Sequence, residues 1–291
     1  MSMKKLYILL TSFYLASILS AQNVVWVKTA GDSSNDRASA ITVDDEGHIV
    51  TAGYAKYLCN FNSNQLYDST AYNFIAKFDM DGSNIWSKKF TPFNALALIK
   101  AIRTDSNNNI YVVGYTTPSI YPCLVKFDAN GNLIWQKQIQ THNEIVGLDM
   151  DKNDNVYFWC NSTFQKISPS GVVLREMTFT YPSIINFVRV FDSNNYLLSG
   201  MYLDSLQVFD AQGNDVILHH DTNIINGQNY FVKFDSDGAF MWAENYHDGN
   251  WMISNCVVNS EDESFYLLGN SDSSYLEHFT SIGQRLWSRK H

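Results

Sequence analysis

The chain has 291 residues, 45% of them hydrophobic and 17% charged, and a formal net charge of −9. This composition is globular rather than disordered, and its acidity repels phosphate backbones, so nucleic acid is not an expected partner. With 17 Tyr and 18 Phe, and few long runs of Ala, Leu, Glu or Lys, strands are expected over helices.

Residues 1–21 stand apart. "MSMKK" is a basic start, "LYILLTSFYLASILS" is apolar, and Ala21 is a small residue before Gln22. The pattern predicts a cleaved secretory signal peptide, its apolar stretch shorter than the ~20 residues of a membrane span. Cleavage removes Lys4 and Lys5 and takes the net charge from −9 to −11. Residues 22–291 are then expected to form one domain that is secreted, periplasmic or at the cell surface, with no membrane contact after cleavage.

The mature chain opens on "NVVWVKTAG", where Trp26-x-Lys28 matches the later Trp86-x-Lys88 and Trp135-x-Lys137. Residues 24–28 therefore read as the last strand of a unit that lacks its first three. They are expected to pair beside the segment 253–290, joining the two ends of the chain and burying Trp26.

Five copies of one ten-residue motif follow: "KFDMDGSNIW" (77–86), "KFDANGNLIW" (126–135), "KISPSGVVLR" (166–175), "KFDSDGAFMW" (233–242) and "HFTSIGQRLW" (278–287). Each is a strand, a Gly-bearing turn and a second strand. Alternation places Phe74, Ala76 and Phe78 on one face and Ile75 and Lys77 on the other. The turn residues supply side-chain acceptors and a positive φ. The glycines, at 82, 131, 171, 238 and 283, are 49, 40, 67 and 45 residues apart. Between the copies lie further hairpins, beginning with "AITVDDEGHIVTAGY" and "AIRTDSNNNIYVVGY". Two hairpins in roughly 40–65 residues are the signature of a propeller blade.

The expected fold is thus all-β: a β-propeller of about five four-stranded blades, plus the orphan strand at 24–28. A six-bladed ring would need three more strands, and an open ring would leave unpaired edges. Trp26, Trp86, Trp135, Trp242 and Trp287 are expected to dock neighbouring blades, largely buried between them. The recurring lysines, Lys77, Lys126, Lys166 and Lys233, are expected to lie along their strands with the amines in solvent. Asp-x-Asp-Gly resembles the opening of a calcium loop, but the further ligands and flanking helices of an EF-hand are missing. No metal and no cofactor is expected. Cys59, Cys123, Cys160 and Cys256 show no zinc spacing; one bridge is open to an exported protein, and buried thiols are preferred.

"NDRASAITVDDEGHIVTAGY" followed by "NFIAKFDMDGSNIWSKKF" resembles the bacterial SBBP-type β-propeller repeat across about residues 24–290. More loosely it is similar to the tryptophan-docked blades of PQQ-type propellers. The resemblance implies an exported bacterial protein. It implies no catalytic residues and no cofactor.

Function is expected on the propeller face that carries the long insertions at 31–36, 55–72, 116–122 and 201–228. His142, His219, His220, Asp221, His247 and Asp248 map there and are the candidate ligand-binding residues. No nucleophile elbow, zinc-protease, phosphate or dinucleotide motif is present. The leading expectation is a non-enzymatic binding module for a protein or glycan. The alternative is a carbohydrate-active hydrolase or lyase, which needs two carboxylates about 5–10 Å apart on that face.

Overall fold

One aspartate organises each of seven tight turns. Asp105 Oδ1 accepts the backbone N–H of Asn107 (3.0 Å) and of Asn109 (2.8 Å). Asp44, Asp79, Asp128, Asp151, Asp210 and Asp235 repeat the same two bonds, to the residues two and four positions on. The turn amides would otherwise be unsatisfied. The acids that resemble the start of a calcium loop thus close β-hairpins.

These turns delimit the strands of a computed structural model that describes residues 26–31, 35–61, 64–139, 145–179, 183–219, 227–246, 252–270 and 273–290. Blade one holds β1 (Arg37–Val43), β2 (Ile49–Asn60), β3 (Gln65–Phe78) and β4 (Asn84–Phe90). Blade two holds β5 (Ala97–Thr104), β6 (Ile110–Thr116), β7 (Tyr121–Phe127) and β8 (Leu133–Gln138). Blade three holds β9 (Ile145–Met150), β10 (Val156–Cys160), β11 (Thr163–Ile167) and β12 (Val173–Thr178). Blade four is β13 (Ile184–Val190), β14 (Tyr196–Tyr202), β17 (Gln228–Phe234) and β18 (Phe240–Tyr246). Blade five is β19 (Met252–Val258), β20 (Phe265–Asn270), β21 (Ser274–Phe279) and β22 (Arg285–Lys290). Each is an antiparallel sheet in chain order, and β15 (Ser205–Phe209) and β16 (Asp215–His219) form a separate two-stranded hairpin inserted in blade four. The expected all-β propeller with four-stranded blades is present. The insertion at 201–228, read as loop, contains this hairpin.

Three apolar clusters lie between blades. Val50, Ala52 and Ile75 of blade one pack on Ile99, Ile102, Val112, Cys123 and Val125 of blade two. Tyr111, Val113 and Leu124 of blade two meet Leu148, Val156 and Phe158 of blade three. A third, larger cluster joins blades three, four and five. Central strands are therefore buried on both faces: every residue of β6 and of β17 is buried. Each blade has a leading face, met by the blade before it, and a trailing face, met by the blade after it.

All four cysteines are buried thiols. Burial pushes the Cys123 and Cys256 thiols up to about 12.

Candidate interaction surface

Between consecutive blades the docking unit is a cross-strand pair. Lys77 faces Trp86, Lys126 faces Trp135 and Lys233 faces Trp242. The tryptophan packs on the glycine turn of the next blade: a Cβ at Gly131 would come within 2.8 Å of the Trp86 ring, and Gly131 has φ +73°, so both space and backbone select glycine. Trp135 lies over Gly171 and Trp242 over Gly283 in the same way. Trp135 Nε1 also donates to Pro169 O (3.1 Å). These rings are half-buried, not largely buried as expected, because one edge of each outer strand remains in solvent. In blade three Arg175 stands in the tryptophan position, opposite Lys166. Its Nη1 donates to Gly238 O (2.6 Å), so a guanidinium takes over the ring's place on the turn.

The lysines correct the sequence expectation. Their amines are not in solvent but in buried ion pairs with the turn acids: Lys77 with Asp44 (2.7 Å), Lys126 with Asp105 (3.2 Å) and Lys166 with Asp151 (3.3 Å). Blade four has Phe191 where blades one to three have the acid, and Lys233 instead reaches Glu263 of blade five (3.5 Å). Each amine beyond blade one also donates to a carbonyl in the next blade's turn: Lys126 to Pro169 O, Lys166 to Ser236 O and Lys233 to Ser281 O, at 2.9–3.1 Å. Sequence shows a lysine on a strand; only the fold brings an acid from the neighbouring hairpin beneath it.

Burial opposes ionisation of Asp44, yet the Lys77 ammonium and the His48 backbone N–H outweigh it and hold its carboxyl below the ordinary aspartate value. A depressed carboxyl pKa contributes stability that is fully present above the unfolded-state pKa and is lost as pH falls through the folded one. Urea midpoints measured against pH should therefore fall on acidification below the ordinary aspartate range. Asp44→Asn should flatten that part of the curve; an unchanged slope would remove Asp44 as its source.

Trp26 departs from expectation in a second way. Residues 26–30 form no strand. Trp26 Nε1 donates to Met80 O (2.8 Å), and the ring lies over Gly82. It thus docks on blade one as Trp135 docks on blade three, and does not join the segment 253–290. Residues 24 and 25 lie outside the described residues.

The ends of the series are consequently unlike its interior. The innermost strands adjoin in the order β1, β5, β9, β13, β19, and among the described residues no packing of comparable extent joins β19–β22 to β1–β4. On the leading face of blade one, Ile41 is 67% exposed, whereas its register equivalents Ile102, Leu148, Val188 and Cys256 are buried. Part of this face is covered by the extended β2–β3 arm: Phe61 packs edge-on against Phe74 (5.2 Å between centroids), with Cys59 and Tyr72 beside it. The remainder is a cavity of about 220 Å³ lined by Trp26, Ile41, Ile49, Thr51, Phe74 and others. The 55–72 insertion, expected to serve ligand binding, thus acts in part as a cap.

The trailing face of blade five has no such cap among the described residues. Trp287 is half-buried against Tyr266 and His278 of its own blade. His278 occupies the lysine position opposite Trp287, and its Nε2 is buried without a hydrogen-bond partner. Leu268 is 43% exposed where Ala52, Val113, Trp159 and Ser199 are buried.

Of the histidine and aspartate candidates, His219 is exposed at the end of β16, its carbonyl accepting from Asn245 Nδ2 (3.0 Å). His142, His220, Asp221, His247 and Asp248 lie outside the described residues. Among the described residues no group of three or more His, Cys, Asp or Glu is gathered as for a metal ion, and no helix is long and apolar enough to cross a membrane.

No protein-family model matches the chain, and no curated protein matches it. Solved structures do. The WD40 domain of Neurospora crassa Pan2 is 11% identical with a TM-score of 0.51, over 86% of this chain and 78% of that one. A catalytically inactive virginiamycin B lyase from Staphylococcus aureus with quinupristin is 12% identical with a TM-score of 0.50, over 89% and 85%. A Bacteroides caccae protein of unknown function is 11% identical with a TM-score of 0.50, over 89% and 83%. At such identities the likeness is one of fold, and it agrees with the sheets described above: the chain is a β-propeller.

Proposed function

We propose that the protein is an exported, non-enzymatic binding module of the SBBP-repeat kind, which takes a protein ligand at the opening between blade five and blade one. The observation that carries this reading is the exposure of Ile41, at a position that every other blade buries. An aliphatic surface built to be covered, beside the aromatic-lined cavity under Trp26, suits a polypeptide better than a hydrophilic glycan. The basic, apolar leader at 1–21 supports export.

The test is an array of proteins and glycans probed with residues 22–291. A protein ligand is expected, and Ile41→Asp should weaken it about tenfold or more, with the unfolding midpoint little changed because the side chain is already exposed. Binding indifferent to that substitution would remove the opening as the site. Cleavage of a polysaccharide by the purified protein would put the carbohydrate-active reading in its place.

A further inference from the structure

A second surface, apart from that opening, lies between β12 and the inserted hairpin. A groove with a volume of about 450 Å³ is lined by residues 175–179 on one side and 207–211 on the other. Both walls are strand edges. In an antiparallel ladder, backbone groups point alternately to the partner strand and away from it. Phe179 N–H donates to Ser162 O (2.7 Å), which sets the phase of β12: the N–H and C=O of Glu176 and Thr178 point away from β11. Asp210 N–H donates to Asn214 O (2.9 Å), which sets the phase of β15: those of Ser205, Gln207 and Phe209 point away from β16. Arg175 confirms the second assignment, since its Nη2 donates to Phe209 O (2.8 Å) from the β12 side.

The two outward edges therefore face one groove and do not pair across it. The groove has an apolar side: Met177, Phe179 and Val208 are buried members of the core cluster. Glu176, Thr178 and Gln207, between them in sequence, are exposed. The other edge of the inserted hairpin, β16, lies beside the outer strand β18 of blade four, where Asn245 Nδ2 donates to His219 O (3.0 Å).

We propose that this groove is an acceptor slot for an extended peptide segment of a partner protein, which enters as a strand between β12 and β15. Its alternate residues, apolar, rest on Met177, Phe179 and Val208, and its backbone pairs with Glu176 and Thr178 on one side and Ser205 and Gln207 on the other. The insertion completes one continuous sheet, β11–β12–peptide–β15–β16. Main-chain bonds supply the affinity, and the apolar side sets the register. The Arg175 guanidinium, engaged with Gly238 O and Phe209 O, holds the two walls at a fixed separation.

The test is selection from a displayed library of random heptapeptides against residues 22–291, followed by titration of the synthetic peptides recovered. Peptides with alternating apolar residues are expected. N-methylation at alternate backbone positions should weaken them tenfold or more with side chains unchanged. Thr178→Pro and Gln207→Pro each delete one outward N–H without touching an internal ladder bond, so each should weaken binding tenfold while leaving the unfolding midpoint in place. Ile41→Asp should have no effect, which separates this slot from the opening between blades five and one. Recovery of no such peptide, equal binding of the N-methylated forms, or indifference to both prolines would overturn the proposal.

Discussion

Lys126→Ala is expected to cost about 3–5 kcal/mol, because it leaves the Asp105 carboxylate buried without its cation. Asp105 is almost inaccessible, and its Oδ2 also receives Asn109 Nδ2 (2.9 Å) and the Tyr111 hydroxyl (3.2 Å). The amine additionally sits 4.8 Å from the Tyr111 ring centroid and holds Pro169 O of the next blade. Removing it thus unseats a turn, a ring and a junction together. The double variant Asp105→Asn with Lys126→Met should recover at least half of the loss, since the asparagine keeps an acceptor for the turn amides and carries no charge. Urea denaturation with a common m value measures both. A single-variant loss under ~1 kcal/mol, the range of an exposed pair, would show that the lysine is solvated after all.

Two tryptophans with the same repeat position should behave differently. Trp135→Ala should cost about 3 kcal/mol, the low end for a tryptophan truncation, in keeping with a half-buried ring. It loses its seat on Gly171, its bond to Pro169 O and its edge-on contact with Tyr111 (5.9 Å). Trp287→Ala should cost under ~1 kcal/mol, as no glycine turn lies beyond it among the described residues. Equal losses at the two sites would mean that the ring stabilises its own sheet and not the junction.

The repeat was legible because each blade has to solve the same packing problem. Glycine at the turn, an apolar row and a tryptophan on the last strand of most units recur for steric reasons, so the four-stranded unit could be read from five quoted segments. The lysines could not. Lys126 and Asp105 are 21 residues apart and belong to different hairpins, and nothing local distinguishes a lysine above a buried acid from one along a wet strand. The recurrence of Asp44, Asp105 and Asp151 at one place in successive hairpins is the available signal, and by itself it indicates only turn chemistry. Trp26 was placed at the wrong end of the series: its motif correctly identified a docking tryptophan, but the direction of docking, each ring onto the following turn, is visible only in three dimensions. The β12–β15 slot had two marks in the sequence, Arg175 in a tryptophan position and the 67-residue interval before Gly238. Neither indicates by itself that two strand edges face each other.

The unequal ends of the series give the molecule a direction. Nearly all of its apolar contact is shared between neighbours, so a blade's hold on the molecule depends on how many sides are covered. Blade one is partly covered on its outer side by its own arm, through Phe61 and Cys59, and by Trp26 from the segment before it. Blade five packs chiefly on blade four, through β13 and β19, among the described residues. In such an array the units open cooperatively but with unequal free energies, the least for a terminal unit with a single neighbour. Among the described blades, opening is then expected first at β19–β22, and loss of blade five bares the Lys233–Trp242 pair, the seat for a returning glycine turn at Gly283.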